Sequence, residues 1–150
     1  MSTTTAGPQP RFANGTEWRD LVERFERAEL TTHEWDHTGH LAVATWYLLW
    51  YEDDDALSRV RNGIRQLNAV HEKIRPPKVG YHETLTRFYM RMIRDRLSRY
   101  TVALPLVRIA NAIGADLADR ALPLVYYSEG RLFSTAARVG WIEPDLRPLP

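Results

Sequence analysis

Apolar positions recur with helical spacing along most of this chain. Trp18, Leu21, Val22 and Phe25 follow the i, i+3, i+4, i+7 order of one buried stripe, and predict a helix over residues 17–30 with Thr16 as its N-cap. A second helix is expected over 31–51. From Leu41 to Tyr51 it is apolar on nearly every face, which marks a central helix. Asp53-Asp54-Asp55 breaks that run and supplies an acidic first turn for a third helix. Its stripe, Leu57, Val60, Ile64, Leu67, His71 and Ile74, alternates steps of three and four as bundle helices do. Pro76-Pro77 ends it.

A fourth helix is expected over 81–100, with Leu85, Phe88, Tyr89, Met92 and Ile93 inward. Pro105 opens a fifth carrying Leu106, Val107, Ala110 and Ile113. Beyond Gly114 the pattern supports a short helix over 116–122 at most, then turns, with Trp141, Ile142 and Leu146 clamping the end onto the core. Residues 124–127 are the one strand candidate, and a lone strand makes no sheet. The expected fold is all-α: an up-down bundle of four to five helices with an irregular, Pro-rich C-terminal wrap. Residues 1–15 read as a disordered tail and 16–150 as a single helical domain.

Composition narrows the chemistry. Among 150 residues there is no cysteine, which removes disulfides, thiolate metal sites and cysteine nucleophiles. The formal net charge of +1 argues against general binding to nucleic acid or to a membrane surface. No run is long and apolar enough for a membrane span, and the Thr- and Pro-rich start lacks the apolar stretch of a signal peptide, so the expected location is the cytoplasm. There is no Gly-rich phosphate loop, EF-hand loop or Gly-x-Ser-x-Gly element. Arg87, Arg91 and Arg94 form a basic stripe that reads as a solvated outer face.

The informative residues are the five histidines, all between positions 33 and 82. On a helix, His37 and His40 stand about 60° apart in azimuth. His71 occupies a stripe position, and His82 shares an arc with Leu85 and Tyr89. His37 and His71 are equidistant from Asp54, so an antiparallel hairpin sets them side by side. His82 then opens the fourth helix at the same end. His37, His40, His71 and His82 are thereby expected to converge. Neutral imidazole is the commonest protein ligand for zinc, iron and copper.

Each element has a plainer alternative. A single buried histidine is usually a hydrogen-bonded core residue. Glu34, a candidate carboxylate ligand, also completes a Thr31-x-x-Glu34 capping box. Glu83, the other candidate, falls about 100° from His82 and reads as a solvent-facing acid at a helix N-terminus. His33 reads as solvated, and Asp36 as lying off the histidine face. Tyr47 and Tyr89 each stand seven residues beyond an inward histidine, where they line the site, donate a proton, or simply fill core.

The strings Glu34-Trp35-Asp36-His37-Thr38-Gly39-His40-Leu41, Gly80-Tyr81-His82-Glu83-Thr84 and Tyr126-Tyr127-Ser128 through Leu132-Phe133-Ser134 resemble those of a group of small, uncharacterised bacterial helical proteins. That resemblance implies no activity. Glu34-x-x-His37 also resembles one ligand motif of ferritin-like di-iron bundles, but those use two such motifs and further glutamates, so a histidine-rich site fits better.

The expectation is a small metalloenzyme holding a transition metal ion (Fe, Cu or Zn) and performing oxidative chemistry on a small-molecule substrate, possible as a homodimer. A metal-dependent hydrolase is one alternative. A non-catalytic helical binding protein with a buried histidine network is the other.

Overall fold

The structure is a computed structural model that describes residues 9–73, 80–100 and 105–150. Within these residues it is all-α. Five longer helices are α1 (Gly15–Glu26), α2 (His37–Trp50), α3 (Asp53–Glu72), α4 (Glu83–Leu97) and α5 (Leu106–Asp116). Three short ones follow: α6 (Pro123–Tyr126), α7 (Glu129–Leu132) and α8 (Thr135–Val139). No helix of the described residues is long and apolar enough to cross a membrane.

Helix α2 is central, as its sequence predicts. It contacts α1, α3, α4 and α5, and buries Leu41, Ala42, Val43, Ala44, Thr45, Tyr47 and Leu48 on nearly all sides. Only Tyr51 and Glu52 separate α2 from α3, a connection short enough to force antiparallel neighbours. Trp18, Leu21, Val22 and Phe25 form the buried stripe of α1, and Val60, Ile64 and Leu67 that of α3.

Helix starts differ from expectation where two caps compete. The Thr31 hydroxyl accepts from the Glu34 N–H at 3.1 Å, as half of the capping box would. The chain nevertheless makes only a turn there, and α2 begins at His37. Asp36 caps it, accepting from the Gly39 N–H at 2.8 Å. This close approach needs Gly39: a Cβ there would stand 2.8 Å from the Glu34 carbonyl oxygen. Asn14, not Thr16, caps α1. His82 is itself the N-cap of α4 rather than part of its first turn. Beyond Asp116, the last residue of α5, residues 117–122 form turns and irregular chain rather than a helix, and the strand candidate at 124–127 is largely the short helix α6.

Both chain ends are docked further than expected. Phe12 is buried, and its backbone exchanges two hydrogen bonds with the Asn111 side chain. Arg11 reaches Asp36, Thr38 and the Glu34 carbonyl. The expected disordered tail therefore does not extend to residue 15; residues 1–8 lie outside the described residues, as do Ile74 and Pro76-Pro77.

At the other end, Ile142 packs on the core and Trp141 is half-buried, but Leu146 is 59% exposed and clamps nothing. The basic stripe of α4 is not free either. Arg87 lies over the Trp141 ring, Arg91 donates to the Pro150 carbonyl, and Arg94 donates to Leu48 O and pairs with Asp53.

Candidate functional site

A cavity of about 630 Å³ lies among α2, α3, α4 and the segment that follows α5. Helix α2 lends it His37, His40, Leu41 and Ala44, and α3 lends Val60, Ile64 and Asn68. Leu85, Thr86, Tyr89 and Met90 come from α4, with Tyr81 and His82 just before it; Arg120, Phe133 and Arg138 close the wall. Three of the four expected histidines and Tyr89 thus line one cavity. His71, Glu34, Glu83 and Tyr47 do not.

The backbone fixes the histidines. A carbonyl oxygen only accepts, so a ring nitrogen bonded to one must carry the proton. His37 donates through Nε2 to Leu117 O at 2.9 Å, and its ring meets Tyr89 edge to face. His40 donates through Nδ1 to Asp36 O at 2.7 Å and stacks on Trp35 with centroids 3.7 Å apart. Desolvation pushes the His40 ring down to about 4; the Asp36 carbonyl opposes this, while His37 and Arg120 add to it. His40 is therefore neutral at pH 7, and its Nε2 is an acceptor with no hydrogen-bond partner among the described residues.

His82 is committed at both nitrogens. Nε2 donates to Leu132 O at 2.8 Å, and Nδ1 accepts from the Leu85 N–H at 3.1 Å. The ring is held as one neutral tautomer that ties the start of α4 to α7. Burial lowers its pKa below the ordinary histidine value. It has no lone pair left for a metal.

His71 donates to Leu30 O at 2.8 Å, fastening the loop after α1 to the end of α3. Its partner is that carbonyl, and it does not line the cavity.

The expected carboxylates are engaged elsewhere. Glu34 pairs with Arg24 at 2.7 Å, which holds its carboxyl below the usual carboxylate range. Glu83 is buried rather than solvent-facing. Arg61 of α3 grips it through Nε and Nη2, and the Tyr81 hydroxyl donates to it. Asp36 caps α2 and pairs with Arg11. Tyr47 lies outside the cavity, donating to Glu26 at 2.7 Å, and burial raises its pKa. The Tyr89 hydroxyl has no hydrogen-bond partner among the described residues, and burial pushes it up to about 12.

These commitments limit what the four histidines offer a metal ion. Only His37 Nδ1 and His40 Nε2 remain as imidazole lone pairs on the cavity. Among the described residues no group of three or more His, Asp or Glu side chains is placed to hold a metal ion. The expected ligands are not gathered into one set among the described residues.

Sequence reasoning missed Asn68, Arg120 and Arg138. Asn68 carried a signal, standing one helical turn beyond Ile64 on the inner stripe; Arg120 and Arg138, outside the long helices, carried none. A larger groove of about 870 Å³ runs between α4 and residues 141–149. Of its arginines, Arg87, Arg91 and Arg94 are already engaged with the C-terminal segment, α2 and Asp53, and no histidine among the described residues lines it; the histidine cavity is the better candidate. Comparison with family models, curated proteins and solved structures finds no match to this chain.

Proposed function

We propose that this chain binds a small organic molecule in the His37–His40–Tyr89 cavity, closest to the binding-protein alternative read from the sequence. The observation that carries this is His40. Its proton is spent on Asp36 O and its ring stacks on Trp35, leaving an unprotonated Nε2 on a mainly apolar cavity. The volume is in the range of small-molecule sites, which pair apolar walls with a few placed polar groups.

Binding is favoured over acid–base catalysis by the His40 pKa. General bases work best with pKa values near the working pH. A ring pushed down to about 4 is a hydrogen-bond acceptor at pH 7 and a weak base. A metalloenzyme reading narrows to His37 and His40 as its imidazole ligands.

A thermal-shift screen of small organic molecules tests the proposal. Hits should raise the melting temperature of the parent and lose their effect in Leu85→Trp, which fills the cavity. Hits that survive Leu85→Trp, or a broad screen with none, reject it. Elemental analysis of untagged protein separates the narrower metal reading: a stoichiometric transition metal lost in both His37→Ala and His40→Ala would restore it.

A further inference from the structure

The geometry points to an organic anion with an apolar, ring-bearing body as the ligand of this cavity; the inference rests on the cavity being a small-molecule site. Two guanidiniums line it, and the one carboxylate of its wall among the described residues, Asp36, is paired with Arg11. Arg120 has no hydrogen bond or ion pair among the described residues, although it acts electrostatically on both His40 and Tyr89. Arg138 spends one nitrogen on Gly80 O.

Two of the negative groups nearby, Asp36 and Glu83, are paired with arginines. The Asp36 carboxylate accepts from the Gly39 N–H and pairs with Arg11. Glu83, next to His82, is gripped by Arg61 and Tyr81. Asp119, whose field reaches Tyr89, does not line the cavity and accepts from the Ala121 N–H.

Uncommitted donors face the same space. The Tyr89 hydroxyl and the Asn68 side-chain amide have no hydrogen-bond partner among the described residues, and both line the cavity with Arg120. A carboxylate or sulfonate supplies the acceptors such donors lack, and hydrogen bonds to an ionised group are the stronger kind. The His40 ring, neutral at pH 7, adds no charge to oppose it. Leu41, Val60, Ile64, Leu85 and Phe133 provide the apolar walls. A neutral apolar molecule would leave the donors unpaired, and a cation would meet two arginines.

A matched pair of fluorescent probes tests this on the full chain. 8-Anilinonaphthalene-1-sulfonate and N-phenyl-1-naphthylamine share one skeleton and differ by the sulfonate. Both should bind, the sulfonate about fivefold or more tightly, in line with a partly exposed charged hydrogen bond. Arg120→Gln should erase that preference and leave the neutral probe within about twofold. Arg19→Gln, on the wet face of α1, should change neither.

Leu85→Trp, or Asn68→Trp if the first unfolds, should abolish both probes. Equal affinities in the parent, or a sulfonate preference that survives Arg120→Gln, would overturn the anion inference while leaving the cavity reading standing. If neither probe binds, or both bind undiminished in a folded cavity-filling variant, the cavity reading fails and the inference falls with it.

Discussion

Arg61 of α3 holds Glu83 of α4 through two nitrogens, Nε at 2.8 Å and Nη2 at 2.6 Å from the same carboxylate oxygen. The carboxylate side chain is 9% exposed and the guanidinium 28%. Removing one member leaves the other largely dry and unpaired. Glu83→Gln should therefore cost about 2–3 kcal/mol, below the range for a fully buried pair because Arg61 keeps some water. Thermal unfolding should shift down by about 5–10 °C. Arg61→Met with Glu83→Leu should recover part of the loss, since exchanging both members for apolar groups avoids the orphan. Strictly additive single and double variants would show that the two residues are not coupled.

This pair also shows where sequence reading ends. Azimuth on α4 separates His82 from Glu83, but it does not reveal that an arginine on α3 stands opposite the acid. The stripe of α3 was legible through Val60, Ile64 and Leu67 because apolar burial needs only a face. His71 sits on that stripe, yet its partner is the Leu30 carbonyl, which no periodicity encodes. His82 was legible as inward-facing. Its role as a helix cap with both nitrogens taken depends on Leu132, fifty residues away. The central position of α2 was plain from its all-round apolarity; its start was not, because Thr31 and Asp36 offer rival caps. The cavity was half visible, through His37, His40, His82 and Tyr89.

Gly63 and Phe25 give a prediction about packing. A Cβ on Gly63 would stand 2.2 Å from Cζ of Phe25. That ring is confined, stacked on Trp35 at 5.0 Å and edge-on to Tyr47 at 6.2 Å. Gly63→Ala should destabilise by about 1–2 kcal/mol, the overpacking cost exceeding the helix-propensity gain of about 1 kcal/mol. In a Phe25→Leu background the same change should be neutral or stabilising. Chemical denaturation of the four proteins checks this, and an equal cost in both backgrounds would contradict it.

The C-terminal segment should respond unevenly to truncation of its side chains. Tyr127 is fully buried and donates to Ile142 O at 2.8 Å, and Trp141 lies edge-on to it at 6.4 Å. Ile142→Ala should cost about 1–2 kcal/mol, because the side chain is only partly buried. Leu146→Ala should stay within about 0.5 kcal/mol, as expected for a surface position. A comparable loss at both sites would mean that the end wraps more tightly than its exposure indicates.

Histidine 40 predicts the acid limb of the stability curve. Its pKa is about 4 in the folded chain, depressed from an ordinary value near 6.5. Between these values the unfolded chain takes up the proton and the folded chain does not, so falling pH favours unfolding. The contribution is full above about pH 6.5 and is lost progressively as pH falls towards about 4. His82, also lowered by burial, acts in the same direction. Asp36 and Glu34 are carboxylates with lowered values, so their losses begin further down, below about pH 4.5.

The melting temperature should therefore decline from about pH 6.5 downward, before the carboxylates contribute. His40→Phe keeps an aromatic ring against Trp35 and removes the titration, so it should flatten that part of the curve without abolishing it. NMR of the ring Cε1–H gives the site-specific check: the His40 resonance should show no inflection near 6.5 and should titrate close to 4. A midpoint near 6.5 would mean that water reaches the ring freely. Nε2 would then be a solvated group rather than an acceptor held for a ligand, and the observation that carries the proposed function would be gone.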